Sequence, residues 1–122
     1  MGVAPLVRAA AVTRFCTAAL ALPAAAALGA SQPLAVVMLV LSGFLGVLLG
    51  RPVLEAVGAR GPRERGLSVG AVSHVLGTVT LASWGEASAV PYSALAFVLA
   101  SGFTALFASI PSVQHALIWI LG

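Results

Sequence analysis

Residues 34–50 read LAVVMLVLSGFLGVLLG, a stretch without a single charged side chain. The apolar segment continues to about Val57, which is long enough for a membrane-spanning helix, since such a helix needs about 20 mostly apolar residues. Segments of similar size cover 9–28, 66–84 and 89–110. The sequence therefore predicts an all-α membrane bundle of about four transmembrane helices in one domain, residues 1–122.

The composition supports lipid as the surrounding solvent. Of the 122 residues, 61% are hydrophobic and only 7% are charged, and the mean hydropathy is +1.12. Soluble domains carry about 25% charged residues because their surface must face water. The six arginines do not form the basic patch, interleaved with aromatic or polar residues on a solvated face, that nucleic-acid binding needs. The bilayer is therefore the expected partner, and nucleic acid is not.

Charge placement predicts an orientation. All six arginines fall on one side if the chain crosses four times, and the positive-inside rule places that side toward the cytoplasm or its organellar equivalent. Two lie at the start of the first segment, and four cluster where the second ends and the third begins: Arg8, Arg14, Arg51, Arg60, Arg63 and Arg65. Glu86 follows the third segment and is expected at the opposite, outer interface as a solvated charge.

The first segment has two interpretations. Arg8 and Arg14 precede an Ala/Leu run, and no acidic residue occurs before Glu55, so a signal or transit peptide fits the composition as well as a span does. Pro23 can interrupt a helix here and free backbone groups. We expect the first segment, and also the glycine-rich third, to be broken or re-entrant.

The third segment carries the candidate chemistry. Gly66, Gly70, His74 and Thr78 follow one another at four-residue spacing and would share a helix face, with Ser73 and Gly77 beside it. Small residues let another backbone approach closely, and polar atoms need partners away from lipid. This face should therefore point into the bundle.

His74 and Arg14 each allow a functional and a structural interpretation. An intramembrane histidine is a functional-site candidate, but a neutral imidazole can also tie two helices together by a hydrogen bond. A guanidinium can hold a carboxylate with two hydrogen bonds, but an arginine can also snorkel and mark the membrane boundary.

Other motifs indicate packing rather than catalysis. Residues 46–50 and 66–70 both have glycine at each end of a five-residue stretch, which favours close helix contact. The sequence shows no carboxylate pair within a polar segment, no phosphate-binding glycine loop and no Ser/His/Asp set. We therefore expect no enzyme, no catalytic residue, no metal and no cofactor.

Three stretches resemble a known family. Residues 66–78, GLSVGAVSHVLGT, resemble the signature of the LrgB family, a Gly-Leu start followed by His-x-x-Gly-Thr. Residues 43–46 and 60–66 resemble its Gly-x-x-Gly helix and Arg-Asp-Pro turn, although Gly61 replaces the aspartate. Residues 14–21 are similar to its basic-x-x-Thr segment, which favours a family core over a targeting peptide. The part from Glu86 onward resembles the plant and algal plastidal glycolate/glycerate translocator branch.

The resemblance implies a carrier, or half of one, for small monocarboxylates such as glycolate and glycerate. It implies that Arg14 binds the substrate carboxylate and that His74 exchanges a proton or donates to the substrate. Hydroxyl groups on Thr17, Ser73 and Thr78 would bind substrate oxygens, and Gly77 would allow close backbone approach.

The resemblance also leaves alternatives. It covers only the C-terminal part of an LrgB domain, so an inactive fragment of a longer transporter is one alternative. A holin- or antiholin-like protein that acts by oligomerising is another. A homo-oligomer or a partner chain would supply the missing half. The implied location is the plastid inner envelope, or otherwise a bacterial inner membrane.

Overall fold

The computed structural model describes residues 3–121, and side chains at residues 7–116, 119 and 120. Most of these residues are helical, with no strand among them, which confirms the all-α prediction. The elements are α1 (Val3–Val12), a 3-10 turn (Thr13–Phe15), α2 (Ala18–Ala27), α3 (Gln32–Ala56), α4 (Pro62–Ser83), a second 3-10 turn (Ala87–Ala89), α5 (Val90–Ser109) and α6 (Pro111–Leu121).

Three stretches are long and apolar enough to cross a membrane: Gln32–Ala56, Pro62–Ser83 and Ala87–Ser109. Large apolar side chains on α3 face outward, among them Leu48, which is 69% exposed. A continuous apolar surface of this kind cannot face water. The chain is therefore an integral membrane protein.

The helices end where glycine permits a left-handed backbone. Gly29, Gly58 and Gly85 have φ of 65°, 76° and 79° and follow α2, α3 and α4. A side chain at such a position is strained, whereas glycine adopts it freely. At the start of α4, the Glu64 carboxylate accepts a hydrogen bond from the backbone N–H of Gly61 at 3.1 Å. These features fix where each turn begins.

The chain forms two compact units. Unit 1 comprises residues 1–40 and 101–122, and unit 2 comprises residues 41–100. Each unit contains one interrupted helical segment. The two interruptions differ in form.

In unit 1, the first apolar segment is broken at Thr13–Thr17 rather than at Pro23, which lies inside α2. Ala10 and Ala25 belong to one buried cluster, together with Ala35. A continuous helix would place Ala10 and Ala25 about 22 Å apart, at 1.5 Å per residue. The chain therefore reverses direction between α1 and α2, and α1 packs against α6.

In unit 2, α4 is interrupted at His74, whose φ of 52° and ψ of −137° are not helical. A Cβ at Gly77 would lie 2.6 Å from Val69 Cγ1. In a continuous helix these residues are about 12 Å apart. Residues 62–73 and 75–83 are therefore two arms of a helical hairpin, which we call the unit-2 hairpin, with its turn at His74.

This hairpin corrects two expectations. Thr78 does not continue the helix face of Gly66, Gly70 and His74, because the helical register is lost at His74. Glu86 is not a solvated charge at the opposite interface. It lies at the base of the hairpin beside Arg65, because the second arm returns the chain to the end at which the first arm began.

A small apolar core closes unit 2. Leu54, Val69, Leu81 and Ala89 are buried together, with Ala59, Trp84 and Val90 packed around them. Val69 lies on the first arm and Leu81 on the second, so this cluster joins the arms to α3 and to the start of α5. The core thereby holds the turn at His74 in place.

Candidate functional site

The turn of the unit-2 hairpin combines a strained backbone with a buried imidazole. His74 is the one residue other than glycine with a positive φ in the described chain, and it is 7% exposed. Such a conformation costs about 1–3 kcal/mol and persists only where surrounding packing enforces it. The sequence around it favours an interruption, because Gly70, Ser73 and Gly77 are poor helix formers. Strain retained at a non-glycine position motivates a functional hypothesis for His74.

Hydroxyl groups on two elements meet beside this turn. Thr78 Oγ1 donates to the carbonyl oxygen of His74 at 3.0 Å and lies 2.7 Å from Ser93 Oγ. Because the Thr78 hydroxyl donates its one proton to the His74 carbonyl oxygen, Ser93 is the donor in the hydrogen bond between Ser93 and Thr78. Ser93 on α5 is fully buried. Sequence reasoning missed it, although a serine inside an apolar helix was a usable signal.

Ser73 lies at the end of the first arm and is fully buried. Its Oγ has no hydrogen-bond partner among the residues that the structure describes. The hydroxyl lies against Gly46 of α3, where a Cβ would overlap Ser73 Oγ. A buried hydroxyl without a partner costs about 1–3 kcal/mol. Ser73 is thus a polar group whose hydrogen-bonding capacity remains to be used.

Glycines bring the first arm against α5. A Cβ at Gly66 would overlap the carbonyl oxygen of Ala89, and a Cβ at Gly70 would overlap that of Ser93. Backbone atoms cannot rotate away, so both positions require glycine. The expected close packing at residues 66–70 is confirmed. Gly77 has the same role between the two arms, where it contacts Val69.

Arg65 and Glu86 form a two-point ion pair at the base of the hairpin. Nε and Nη2 of Arg65 donate to the two carboxylate oxygens of Glu86, each at 2.6 Å. Nη1 of Arg65 donates to the carbonyl oxygen of Ala59 at 3.1 Å. The side chains are only 11% and 22% exposed. This pair joins the start of the first arm to the turn after the second.

Arg14 and Thr17 lie at the interruption of unit 1. Arg14 is exposed, and its guanidinium carbon is 4.6 Å from the centre of the Phe15 ring. Thr17 precedes α2, and its backbone oxygen accepts from the N–H groups of Leu20 and Ala21. The Thr17 side chain makes no capping hydrogen bond. Among the described residues Arg14 forms no ion pair, so its guanidinium can contact a ligand.

Arg14 lines a cavity of about 580 Å³ within unit 1. Arg8, which the sequence reasoning did not select, lines the same cavity. The other lining residues are mostly apolar: Ala11, Val12, Phe15, Thr104, Phe107, Ala108 and Val113. Cavities of this size and character are typical of small-molecule sites.

The structure thus places Ser73, His74, Gly77 and Thr78 at or beside the turn in unit 2, and Arg14 and Thr17 at the interruption in unit 1. A single site built from all six residues stays a prediction. Among the described residues, no cluster of three or more His, Cys, Asp or Glu side chains could hold a metal ion.

These features define a membrane protein whose polar residues lie at interruptions of apolar helices. Residues 1–113 match the LrgB-like family, and the chain belongs to that family. No solved structure matches it.

Relatives similar to this chain include a plant protein and a bacterial protein. The plastidal glycolate/glycerate translocator 1, chloroplastic, of Arabidopsis thaliana is 30% identical over 123 residues, covering the whole of this chain and 24% of the relative. The uncharacterized protein YxaC of Bacillus subtilis (strain 168) is 33% identical over 91 residues, covering 75% of this chain and 39% of the relative. The chain therefore spans about a quarter of the length of the Arabidopsis relative and about two fifths of the length of the Bacillus relative.

Proposed function

We propose that this chain is a membrane carrier, or half of one, for small 2-hydroxy- and 2-oxo-monocarboxylates such as glycolate and glycerate. The observation that carries the proposal is the interruption of α4 at His74, where a strained residue meets buried hydroxyl groups. Interrupted helices frame the binding sites of many secondary transporters, because the freed backbone groups can contact substrate. The name of the Arabidopsis relative supports the substrate class.

The proposed roles follow from the chemistry of each group. Arg14 binds the carboxylate, since a guanidinium offers two parallel N–H donors. Ser73 uses its unpartnered hydroxyl on substrate oxygens, as do Thr17 and Thr78. His74 exchanges a proton or donates to the substrate, which couples transport to pH. Gly77 contributes by letting the hairpin arms pack closely around the turn.

Uptake of labelled glycolate into proteoliposomes tests this proposal. We expect saturable uptake by the parent chain and at least a tenfold loss, about 1.4 kcal/mol or more, in His74→Ala and in Arg14→Ala. Arg51→Ala is the matched control, because Arg51 is exposed and forms an ion pair with the exposed Glu55. Equal uptake by the parent and both variants would show that the site assignment is wrong.

The same liposomes separate a carrier from an oligomerising, holin-like protein. A carrier gives saturable, substrate-specific flux, and a holin-like protein gives leakage of ions or dye without saturation. Leakage that persists in His74→Ala and is lost when the glycine faces are filled would reject the carrier proposal in favour of the holin-like one.

We further propose a partner and a location. A second copy of this chain, or a separate chain, supplies the remaining part of the carrier, since the relatives are longer. The plastid inner envelope is the proposed membrane, on the strength of the Arabidopsis relative alone. Cross-linking in membranes tests the first proposal and imaging of a tagged chain tests the second. Location in a bacterial inner membrane would contradict the second.

A further inference from the structure

Ser93, a residue of α5, contacts both arms of the unit-2 hairpin. Its carbonyl oxygen lies against Gly70 of the first arm, where a Cβ would overlap it. Its Oγ lies 2.7 Å from Thr78 Oγ1 of the second arm, and the residue is fully buried. A buried hydroxyl in a membrane helix needs a partner within the protein, because the hydrocarbon core offers no water. The Thr78 hydroxyl supplies that partner.

The hydrogen bond from Ser93 leads to the backbone of the turn. Thr78 Oγ1 accepts from Ser93 and donates to the carbonyl oxygen of His74 at 3.0 Å. A hydroxyl that accepts one hydrogen bond becomes a stronger donor in the next, since the two bonds polarise each other. The acceptor carbonyl belongs to the residue whose φ is 52°. Ser93 therefore acts on the strained backbone at residue 74 through Thr78.

A second threonine on the same arm provides a contrast. Thr80 Oγ1 donates to the carbonyl oxygen of Leu76 at 2.8 Å, the same kind of bond to a residue four positions earlier. Such bonds are common wherever threonine occurs in a helix and need carry no function. The bond of Thr78 differs in two respects: its acceptor is the turn residue, and a hydroxyl from another helix donates to it. Thr80 is therefore a control for Thr78.

We infer that Ser93 is a positioning residue of the carrier, which fixes the His74 carbonyl through Thr78 and thereby orients the imidazole at the turn. The inference rests on the proposed function, because it takes His74 as the residue that exchanges a proton or donates to the substrate. Ser93 acts through His74 and not on the substrate. Because Arg14 holds the substrate carboxylate in the proposed function, loss of the Ser93 hydroxyl lowers the rate of transport rather than the affinity for glycolate.

The NMR signal of the His74 carbonyl carbon tests this hydrogen-bond chain without requiring transport. The full chain in lipid nanodiscs carries ¹³C-carbonyl histidine in a His115→Gln background, which leaves His74 as the single labelled residue. We expect Ser93→Ala to shift this signal, because the carbonyl oxygen then accepts a weaker hydrogen bond. Thr80→Val is the control and should leave the signal in place.

A double substitution tests whether the effect passes through the Thr78 hydroxyl. In a Thr78→Val background, Ser93→Ala should cause no further shift of the His74 signal, because the link between them is already missing. In a Thr78→Ser background, which keeps the hydroxyl, Ser93→Ala should still shift the signal. An unchanged signal in Ser93→Ala alone, or a further shift in the Thr78→Val background, would overturn the inference.

Glycolate uptake into proteoliposomes then tests the positioning role. Ser93→Ala should lower the maximal rate about threefold or more, as the net contribution of one hydrogen bond allows, with a half-saturating concentration close to that of the parent. Ser109→Ala, the control on α5, removes an exposed hydroxyl that donates to the Ala105 carbonyl oxygen and should change neither quantity. An active parent with an unchanged maximal rate in Ser93→Ala would reject the positioning role alone. A parent without uptake would reject the proposed function and the positioning role with it, whatever the NMR signal shows.

Discussion

Units 1 and 2 differ in the charged side chains that they contain. In unit 2, Arg65 binds Glu86 and Arg51 binds Glu55. Unit 1 has Arg8 and Arg14 but no acidic residue. The Arg65–Glu86 pair stabilises the hairpin of unit 2, whereas the contact of the Arg14 guanidinium in unit 1 is with the Phe15 ring. The difference separates the structural role of Arg65 in unit 2 from the binding role that we propose for Arg14 in unit 1.

The largest expected effect on the free energy of unfolding comes from removing the buried ion pair between Arg65 and Glu86. Arg65→Gln leaves Glu86 without its cation and should lower the free energy of unfolding by about 3–5 kcal/mol, because a largely buried charge loses its partner. Arg51→Gln removes an exposed pair, 52% and 58% accessible, and should cost no more than about 1 kcal/mol. Denaturant titration in detergent measures both variants. Equal costs would show that the hairpin does not depend on the Arg65–Glu86 pair.

The next effect concerns close packing in unit 2. Gly70→Val should destabilise the chain by about 1–3 kcal/mol or more, because its Cβ meets the backbone of Ser93, which cannot move aside. Gly102→Val is the matched control on α5, since nothing lies within 4 Å of a Cβ there. Thermal unfolding in detergent compares the two. A control variant as unstable as Gly70→Val would contradict the assigned contact.

A comparison of two variants at residue 74 isolates the backbone strain at the turn. His74→Gly and His74→Ala both remove the imidazole, but only glycine adopts a φ of 52° without strain. The glycine variant should therefore be more stable than the alanine variant by about 1–3 kcal/mol. We expect both to lose glycolate uptake. Equal stability of the two variants would show that the backbone at residue 74 is not strained.

The smallest effect is expected in unit 1. Arg14→Gln removes a guanidinium that contacts the Phe15 ring. Unit 1 contains no Asp or Glu with which this guanidinium could pair. Its loss should cost less than about 1 kcal/mol, as for an exposed cation–ring contact, while carboxylate binding falls at least tenfold. A stability loss as large as that of Arg65→Gln would remove the contrast between the two units.

The membrane helices could be predicted from sequence because lipid tolerates only long apolar segments. Residues 34–57 correspond closely to α3 for this reason. The hairpin could not be predicted with the same rule, since its 22 residues have the length of a single span. The backbone of His74 and the close approach of Gly77 to Val69 show that the segment turns back. The excess of glycine and β-branched residues in α4 was the available signal.

The residues of the candidate site could be predicted from the sequence, but their arrangement around the turn could not. Ser73, His74 and Gly77 are buried at the turn, as polar and small residues within an apolar segment should be. The break at His74 separates Thr78 from the face of Gly66 and Gly70, and the Thr78 hydroxyl donates to the carbonyl oxygen of His74, four residues earlier. The role of Glu86 was missed because a four-span topology places it away from Arg65.

Spin-label distances across α4 test the hairpin most directly. Cysteines replace Ser68 and Ala82, both exposed and 14 residues apart, in a Cys16→Ser background. The reference pair, at Leu41 and Glu55 of the uninterrupted α3, has the same separation. A continuous helix gives about 21 Å between backbone positions for both pairs. We predict about 10 Å for the α4 pair, the spacing of packed helices, and about 21 Å for the α3 pair. A distance of about 21 Å for both pairs would show that α4 is continuous, and would contradict the re-entrant turn at His74.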